Sequence, residues 1–234
     1  MRNLRGGNME LSGETVEKML EILLKEYPKW KAPIVTFVAE TMGLSDNSLP
    51  FRVLVATILS LRTKDETTTA AVTRLFSETF PDPQSFIKLG AGKIEKLIYP
   101  VGFYRVKSQR LVEISQILIE KFDGKVPSDI EELLTLPGVG RKTANLVVSL
   151  GYGKPAMCVD IHVHRISNRW GYIATKTPEQ SEFALREKLP VKWWNRYNDI
   201  LVAFGQTICK PVSPFCSRCA VEEWCLKAGV DRHR

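Results

Sequence analysis

An all-α fold is predicted by three features of this 234-residue chain. Apolar residues recur at helical spacing, helix start and stop signals punctuate the sequence, and no stretch shows sustained strand alternation. Val16, Met19, Leu20, Leu23 and Leu24 follow i, i+3, i+4, i+7, i+8, one stripe facing a core. That helix is expected to stop before Pro28, whose ring excludes the preceding residue from helical geometry. Further helices are expected near 50–61, 65–79, 83–89, 92–98 and 104–122. In the last, Leu111, Ile114, Leu118 and Phe122 share one side, and Asp123-Gly124 closes it. Ser128 and Glu131 read as a capping box opening a short helix that ends near Leu136-Pro137-Gly138, and another helix starts near Arg141. Thr177-Pro178-Glu179-Gln180 reads as a second box, with proline at the first helical position, opening a helix to about Leu189. A last helix is expected from about Trp193 to Ile208.

With 44% hydrophobic and 25% charged residues, the composition is that of an ordinary globule. A chain of this length buries roughly 70% of its unfolded surface and needs no disulfides to fold. The longest near-continuous apolar stretch, Phe51 to Leu61, contains Arg52 and falls short of the ~20 residues of a membrane span. The basic stretch from Met1 to Asn8 leads into no signal-peptide core. Membrane, secreted and fibrous classes are thereby disfavoured, and a cytosolic setting is expected.

Charge is placed unevenly. Residues 1–135 carry 18 basic and 18 acidic side chains, whereas residues 136–234 carry 15 basic and 8 acidic ones, so the whole +7 (15 − 8) sits in the second part. A one-sided positive field attracts polyanions such as nucleic acid; a solvated basic face is the competing reading.

Leu136-Pro137-Gly138-Val139-Gly140-Arg141-Lys142-Thr143 lies between two short helices. Free amides at the start of the second helix, with the positive end of its dipole, suit a phosphate. A plain αα-turn is the alternative, and Arg141, Lys142 and Thr143 favour the phosphate. Lys142 falls in the first turn, where the helix end and burial both disfavour an ammonium and free the amine as a nucleophile, while a bound phosphate pulls the other way. Taken alone, Lys142 reads as a phosphate contact and Asp160, just before Ile161-His162, as an ordinary N-cap.

Cys209, Cys216, Cys219 and Cys225 form C-x6-C-x2-C-x5-C within 209–225. Four thiolates so close suit zinc or an iron–sulfur cluster, and spacing alone leaves both open. Cys158 reads as a small buried apolar residue.

Leu136 to Asn145, Gly151-Tyr152-Gly153-Lys154-Pro155 and Val159-Asp160-Ile161-His162 closely resemble the endonuclease III family, within the helix–hairpin–helix superfamily of DNA glycosylases. The resemblance covers roughly residues 50–225. It implies a six-helix domain over 44–154, and a second domain combining 1–43 with 155–234 and carrying a [4Fe–4S] cluster loop over 209–225, with a DNA cleft between them. It further implies that the Lys142 amine attacks the deoxyribose C1′ of a damaged nucleotide, with Asp160, eighteen residues on (160 − 142 = 18), steadying charge there. Relatives that only remove a base generally lack that lysine, so combined glycosylase and AP lyase activity on oxidised pyrimidines in duplex DNA is expected. A mismatch uracil or thymine glycosylase and a non-catalytic iron–sulfur DNA-binding module are the alternatives. By the same resemblance Gly138, Val139, Gly140, Arg141 and Thr143 contact DNA, and Lys210 and Arg218 face its backbone. Leu59 to Asp65 resembles a gap-filling loop, with Arg62 where the family usually has glutamine. Gly102-Phe103-Tyr104 resembles a second wedge loop, Phe103 being either the wedge or a core aromatic. The four cysteines would hold the cluster, and the resemblance further implies a soluble, cytoplasmic, nucleoid-associated monomer of prokaryotic type.

Overall fold

The computed structural model describes residues 11–41 and 48–234. Its α-helices, in order, are α1 (Gly13–Glu26), α2 (Ile34–Thr41), α3 (Leu49–Ser60), α4 (Asp65–Glu78), α5 (Pro83–Leu89), α6 (Ala91–Ile98) and α7 (Tyr104–Phe122). They continue as α8 (Ile130–Leu134), α9 (Arg141–Leu146), α10 (Ile161–Trp170), α11 (Pro178–Lys188) and α12 (Trp194–Thr207). Short 3-10 turns and a π-helical turn over Val147–Gly151 complete the regular structure, and no strand occurs among the described residues. No helix among them is long and apolar enough to cross a membrane.

Packing divides the chain into two units, one contiguous over Ala32–Cys158, the other joining residues up to Lys31 with Val159–Arg234. These switches differ from the expected 43/44 and 154/155; residue 44 itself lies outside the described residues. The first shift has a physical cause in α2, a helix that the sequence pattern did not reveal. Its Ile34, Val35, Val38 and Ala39 are buried in the core of the contiguous unit. At the other end, Ala156 and Cys158 lie in that same core and carry the unit past 154. The contiguous unit therefore runs from α2 to α9 and exceeds the six helices expected.

Within the contiguous unit α3 is central. Phe51 and every residue from Val53 to Leu59 are buried, which is why the apolar run 51–61 shows no clean helical stripe. Phe51 meets Phe86 of α5 edge to face at 4.9 Å. In the discontinuous unit α1 buries Val16, Met19, Leu20 and Leu23 and packs against α12. Phe204 of α12 lies between Trp30 and Trp170, with centroids at 5.7 and 6.4 Å.

Helix ends refine the expected caps. α1 stops at Glu26, and Pro28 sits inside a 3-10 turn, Tyr27–Lys29. α8 is capped by Asp129, not Ser128: the Asp129 carboxylate accepts from the Glu131 and Glu132 amides at 2.9 and 3.1 Å. An anion at the positive helix end outcompetes a hydroxyl, and Ser128 Oγ instead accepts from Lys154 Nζ at 2.7 Å. At α11, Thr177 accepts from the Gln180 amide as expected, but Gln180 Oε1 reaches back to the Lys176 amide, one residue earlier than a strict box. In urea unfolding, Asp129→Ala should lose about 1 kcal/mol while Ser128→Ala changes stability by less than about 0.5 kcal/mol. The reverse ranking would contradict the cap assignment.

Candidate functional site

The hairpin before α9 closes with the Val139 amide donating to Leu136 O at 3.1 Å. Gly138 turns it with φ of 75°, a left-handed backbone that favours glycine, and the Arg110 side chain lies where a Cβ would project. Gly140 differs. Its backbone is extended, with φ of −101°, and a Cβ would meet nothing within 4 Å. The fold does not need a glycine at 140; its absent side chain leaves the backbone open to an approaching group. Val139 and Thr143 point into the core, Thr143 being only 2% exposed, whereas Gly138 and Gly140 are exposed. Arg141 lies 3.8 Å from Glu131, and its carbonyl accepts from Asn145 Nδ2 at 3.0 Å. Lys142 is half-buried in the first turn of α9, and its carbonyl receives the Cys158 thiol at 3.7 Å. Cys158 is buried, as expected.

Two loops of the same unit meet: the one after α3 and the one before α7. Arg62 and Phe103 both hold left-handed backbones, with φ of 54° and 58°, a conformation that costs a residue with a Cβ of order 1–3 kcal/mol. The Arg62 guanidinium lies 5.6 Å from the Phe103 ring centroid. Phe103 is 60% exposed, so it is not a core aromatic. The loops touch backbone to backbone, since a Cβ on Gly102 would come within 2.5 Å of Arg62 O.

Beneath them lies Lys107, a residue that sequence reasoning did not single out. It is 7% exposed, and its Nζ donates to Leu59 O at 2.9 Å, Leu61 O at 2.6 Å and Thr63 Oγ1 at 3.3 Å. Thr63 Oγ1 also accepts from the Gly102 amide at 3.1 Å. The signal was available: Lys107 continues the apolar stripe of Leu111, Ile114 and Leu118 back by one turn, placing a cation on a buried face.

In the discontinuous unit, Asp160 caps α10. Its Oδ1 accepts from the His162 and Val163 amides at 2.8 and 2.9 Å, and the residue is 8% exposed. His162 Nδ1 lies 3.1 Å from Arg165 Nη2, and His164 Nδ1 lies 2.6 Å from Ser181 Oγ.

The four cysteines 209, 216, 219 and 225 line one small cavity together with Trp170, Phe204, Ile208 and Phe215. As placed, no three His, Cys, Asp or Glu side chains among the described residues are drawn together into a finished metal site. The donor set nonetheless suits a soft metal: four thiols line the cavity, and two of them are already hydrogen-bonded, although Arg169, Glu222 and Lys227 also reach its wall. Arg169 Nη1 donates to Cys209 Sγ at 3.2 Å, and the Lys227 amide donates to Cys225 Sγ at 3.3 Å. Burial pushes the Cys219 thiol up to about 12 and Cys225 to about 11, so metal binding there must displace their protons. Lys210 and Arg218 converge on the Phe215 ring with Arg234, at 5.4, 5.5 and 4.0 Å from its centroid.

Residues 55–191 match the model of the HhH-GPD superfamily of base excision DNA repair proteins. Endonuclease III of Thermotoga maritima is 51% identical over 176 residues, covering 75% of this chain and 82% of that one. The chloroplastic endonuclease III homolog 2 of Arabidopsis thaliana is 38% identical over 97% of this chain, which spans 61% of that protein's length. Among solved structures, a non-covalent endonuclease III–DNA complex superposes with a TM-score of 0.79 at 32% identity, covering 93% of this chain and 96% of that one.

Lys107 also makes stability depend on pH. Burial pushes its ammonium down to about 8 from an ordinary 10.5. Between those values the unfolded chain still holds a proton that the folded chain has lost, so the contribution of this group to stability rises with pH. Urea unfolding at about pH 7.5 and about pH 10 should show wild type gaining on Lys107→Met at the higher pH. A gap that moves the other way would contradict this assignment.

Proposed function

The chain belongs to the HhH-GPD superfamily of base excision DNA repair proteins, and we propose that Lys142 is the nucleophile of its DNA glycosylase and AP lyase activity, acting on oxidised pyrimidines of the thymine glycol type in duplex DNA. The observation that carries this reading is the hairpin: Gly140 leaves its backbone bare immediately before α9, and Lys142 stands in the first turn that follows.

A backbone phosphate approaching Gly140 meets no side chain, and Arg141 adds positive charge. The Lys142 amine attacks C1′ of the damaged nucleotide; a C–N bond forms as the glycosidic bond breaks, and the base leaves with its electron pair and takes up the proton that the attacking nitrogen sheds. Ring opening gives a Schiff base. Loss of a proton from C2′ then expels the 3′ phosphate by β-elimination, and water hydrolyses the Schiff base to restore the amine. The Asp160 carboxylate steadies positive charge developing at C1′ and assists removal of the amine's proton. Its two amide bonds hold that carboxylate in one orientation.

Base removal requires extruding the nucleotide, and the gap must be filled. Arg62 and Phe103, exposed on adjoining loops, are the groups proposed to enter it. Cys209, Cys216, Cys219 and Cys225 would hold a [4Fe–4S] cluster, which supplies a structural cross-link to the 209–225 loop and no excision chemistry. Support for it lies in the four cysteines that line one cavity together and the N–H donors already on Cys209 and Cys225. Lys210 and Arg218 are proposed to meet phosphates, and in support they gather positive charge with Arg234 around the Phe215 ring.

Duplexes carrying thymine glycol, an abasic site, uracil opposite guanine or thymine opposite guanine, each incubated with and without borohydride, test the reading. Excision and nicking should be strongest on thymine glycol, and borohydride should trap wild type covalently but not Lys142→Gln. Trapping by the variant would overturn the nucleophile, and a preference for the guanine mismatches would move the substrate class to mismatched uracil or thymine. For the loop, purified protein should be brown, absorb broadly near ~400 nm and contain iron; colourless protein with stoichiometric zinc would overturn the cluster.

A further inference from the structure

We propose that Lys107 is a positioning residue for base extrusion, tying the loop after α3 to the loop before α7 so that Arg62 and Phe103 enter the duplex as one rigid wedge. The inference rests on the reading above that these two loops fill the gap, and it adds the part that holds them in shape.

Leu59 O and Leu61 O are carbonyls at the C-terminal end of α3, where helical partners run out. A cation is the favoured partner for that end, but here it arrives from a different helix. The three N–H donors of the ammonium find three oxygens, the third being Thr63 Oγ1, which also takes the Gly102 amide. Through its own backbone Lys107 reaches the second loop as well, because its amide donates to Phe103 O at 3.0 Å. One residue thus engages Leu59, Leu61, Thr63 and Phe103. Two left-handed non-glycine residues, Arg62 and Phe103, stay in that costly conformation only where their surroundings over-determine them. Lys107 and Thr63 are the groups on both sides of that junction. The bare Gly102 backbone lets the loops approach so closely that a Cβ there would clash with Arg62 O. Burial draws the ammonium down to about 8, as expected for a lysine held dry by its partners and not by a carboxylate.

A wedge matters when a stacked base must be driven out and much less when the strand is already single. Lys107→Met keeps the aliphatic stem and removes the donors. It should lower kcat for excision from a paired thymine glycol duplex by roughly 10–100-fold, as expected for losing charged hydrogen bonds. Its loss on a single-stranded abasic oligonucleotide should be at least about tenfold smaller than its loss on the duplex. 2-Aminopurine placed beside an abasic analogue in duplex should also brighten less on binding the variant than on binding wild type. Thr63→Val, which breaks the same junction from the other side, should show the same bias and serves if Lys107→Met fails to fold. Equal losses on duplex and single strand, or no loss on either, would overturn the positioning role. Wild type inactive on every substrate would instead overturn the enzymatic reading on which it rests.

Discussion

The hairpin at 136–140 turns on a left-handed backbone at residue 138, which glycine adopts without the cost that a Cβ brings. The Arg110 side chain lies in the space that a Cβ would take and would have to swing aside for one. Closure of that turn decides where α9 begins and therefore that residue 142 falls in its first turn, with Thr143 and Ala144 committed to the core behind it. Gly140, two residues on, meets no such demand. The contrast separates a glycine the fold needs from one whose openness serves something outside the chain.

A second constraint shapes the neighbouring surface. Arg62 and Phe103 occupy strained backbone conformations while remaining exposed, so the protein sustains an unfavourable local geometry where it gains no burial. A buried lysine supplies the compensation by capping α3 from α7 and joining the two loops through Thr63. Strain, cap and exposed aromatic form one mechanical unit. Local stability is set by an ammonium that never touches solvent freely, while the groups it supports are those that face outward.

Much of this was legible in the residues, and the exceptions have causes. α5 and α7 match the expected 83–89 and 104–122, and Asp123-Gly124 closes α7 as its boundary chemistry predicts. α2 escaped because its eight residues are short for a periodic signal and rich in β-branched residues, a run that does not separate helix from strand. Ser128 was preferred to Asp129 because the capping-box pattern counts spacing and not charge. Lys142 stood out for its place beside two glycines. Lys107 did not, because a single lysine in a helix looks solvated until its position is set against the apolar stripe it continues. Asp160 was readable as an N-cap, and that is the contact the structure gives it; its proposed role at C1′ needs the same carboxylate held in the same place.

The central claim is that one primary amine, at position 142, forms the covalent bond to the sugar. Reducing the reaction on an abasic duplex with borohydride, digesting protein and DNA, and locating the sugar remnant by peptide mass spectrometry tests it most directly. The remnant should fall on Lys142 alone. A remnant on another lysine, or on the chain's amino terminus, would contradict the account.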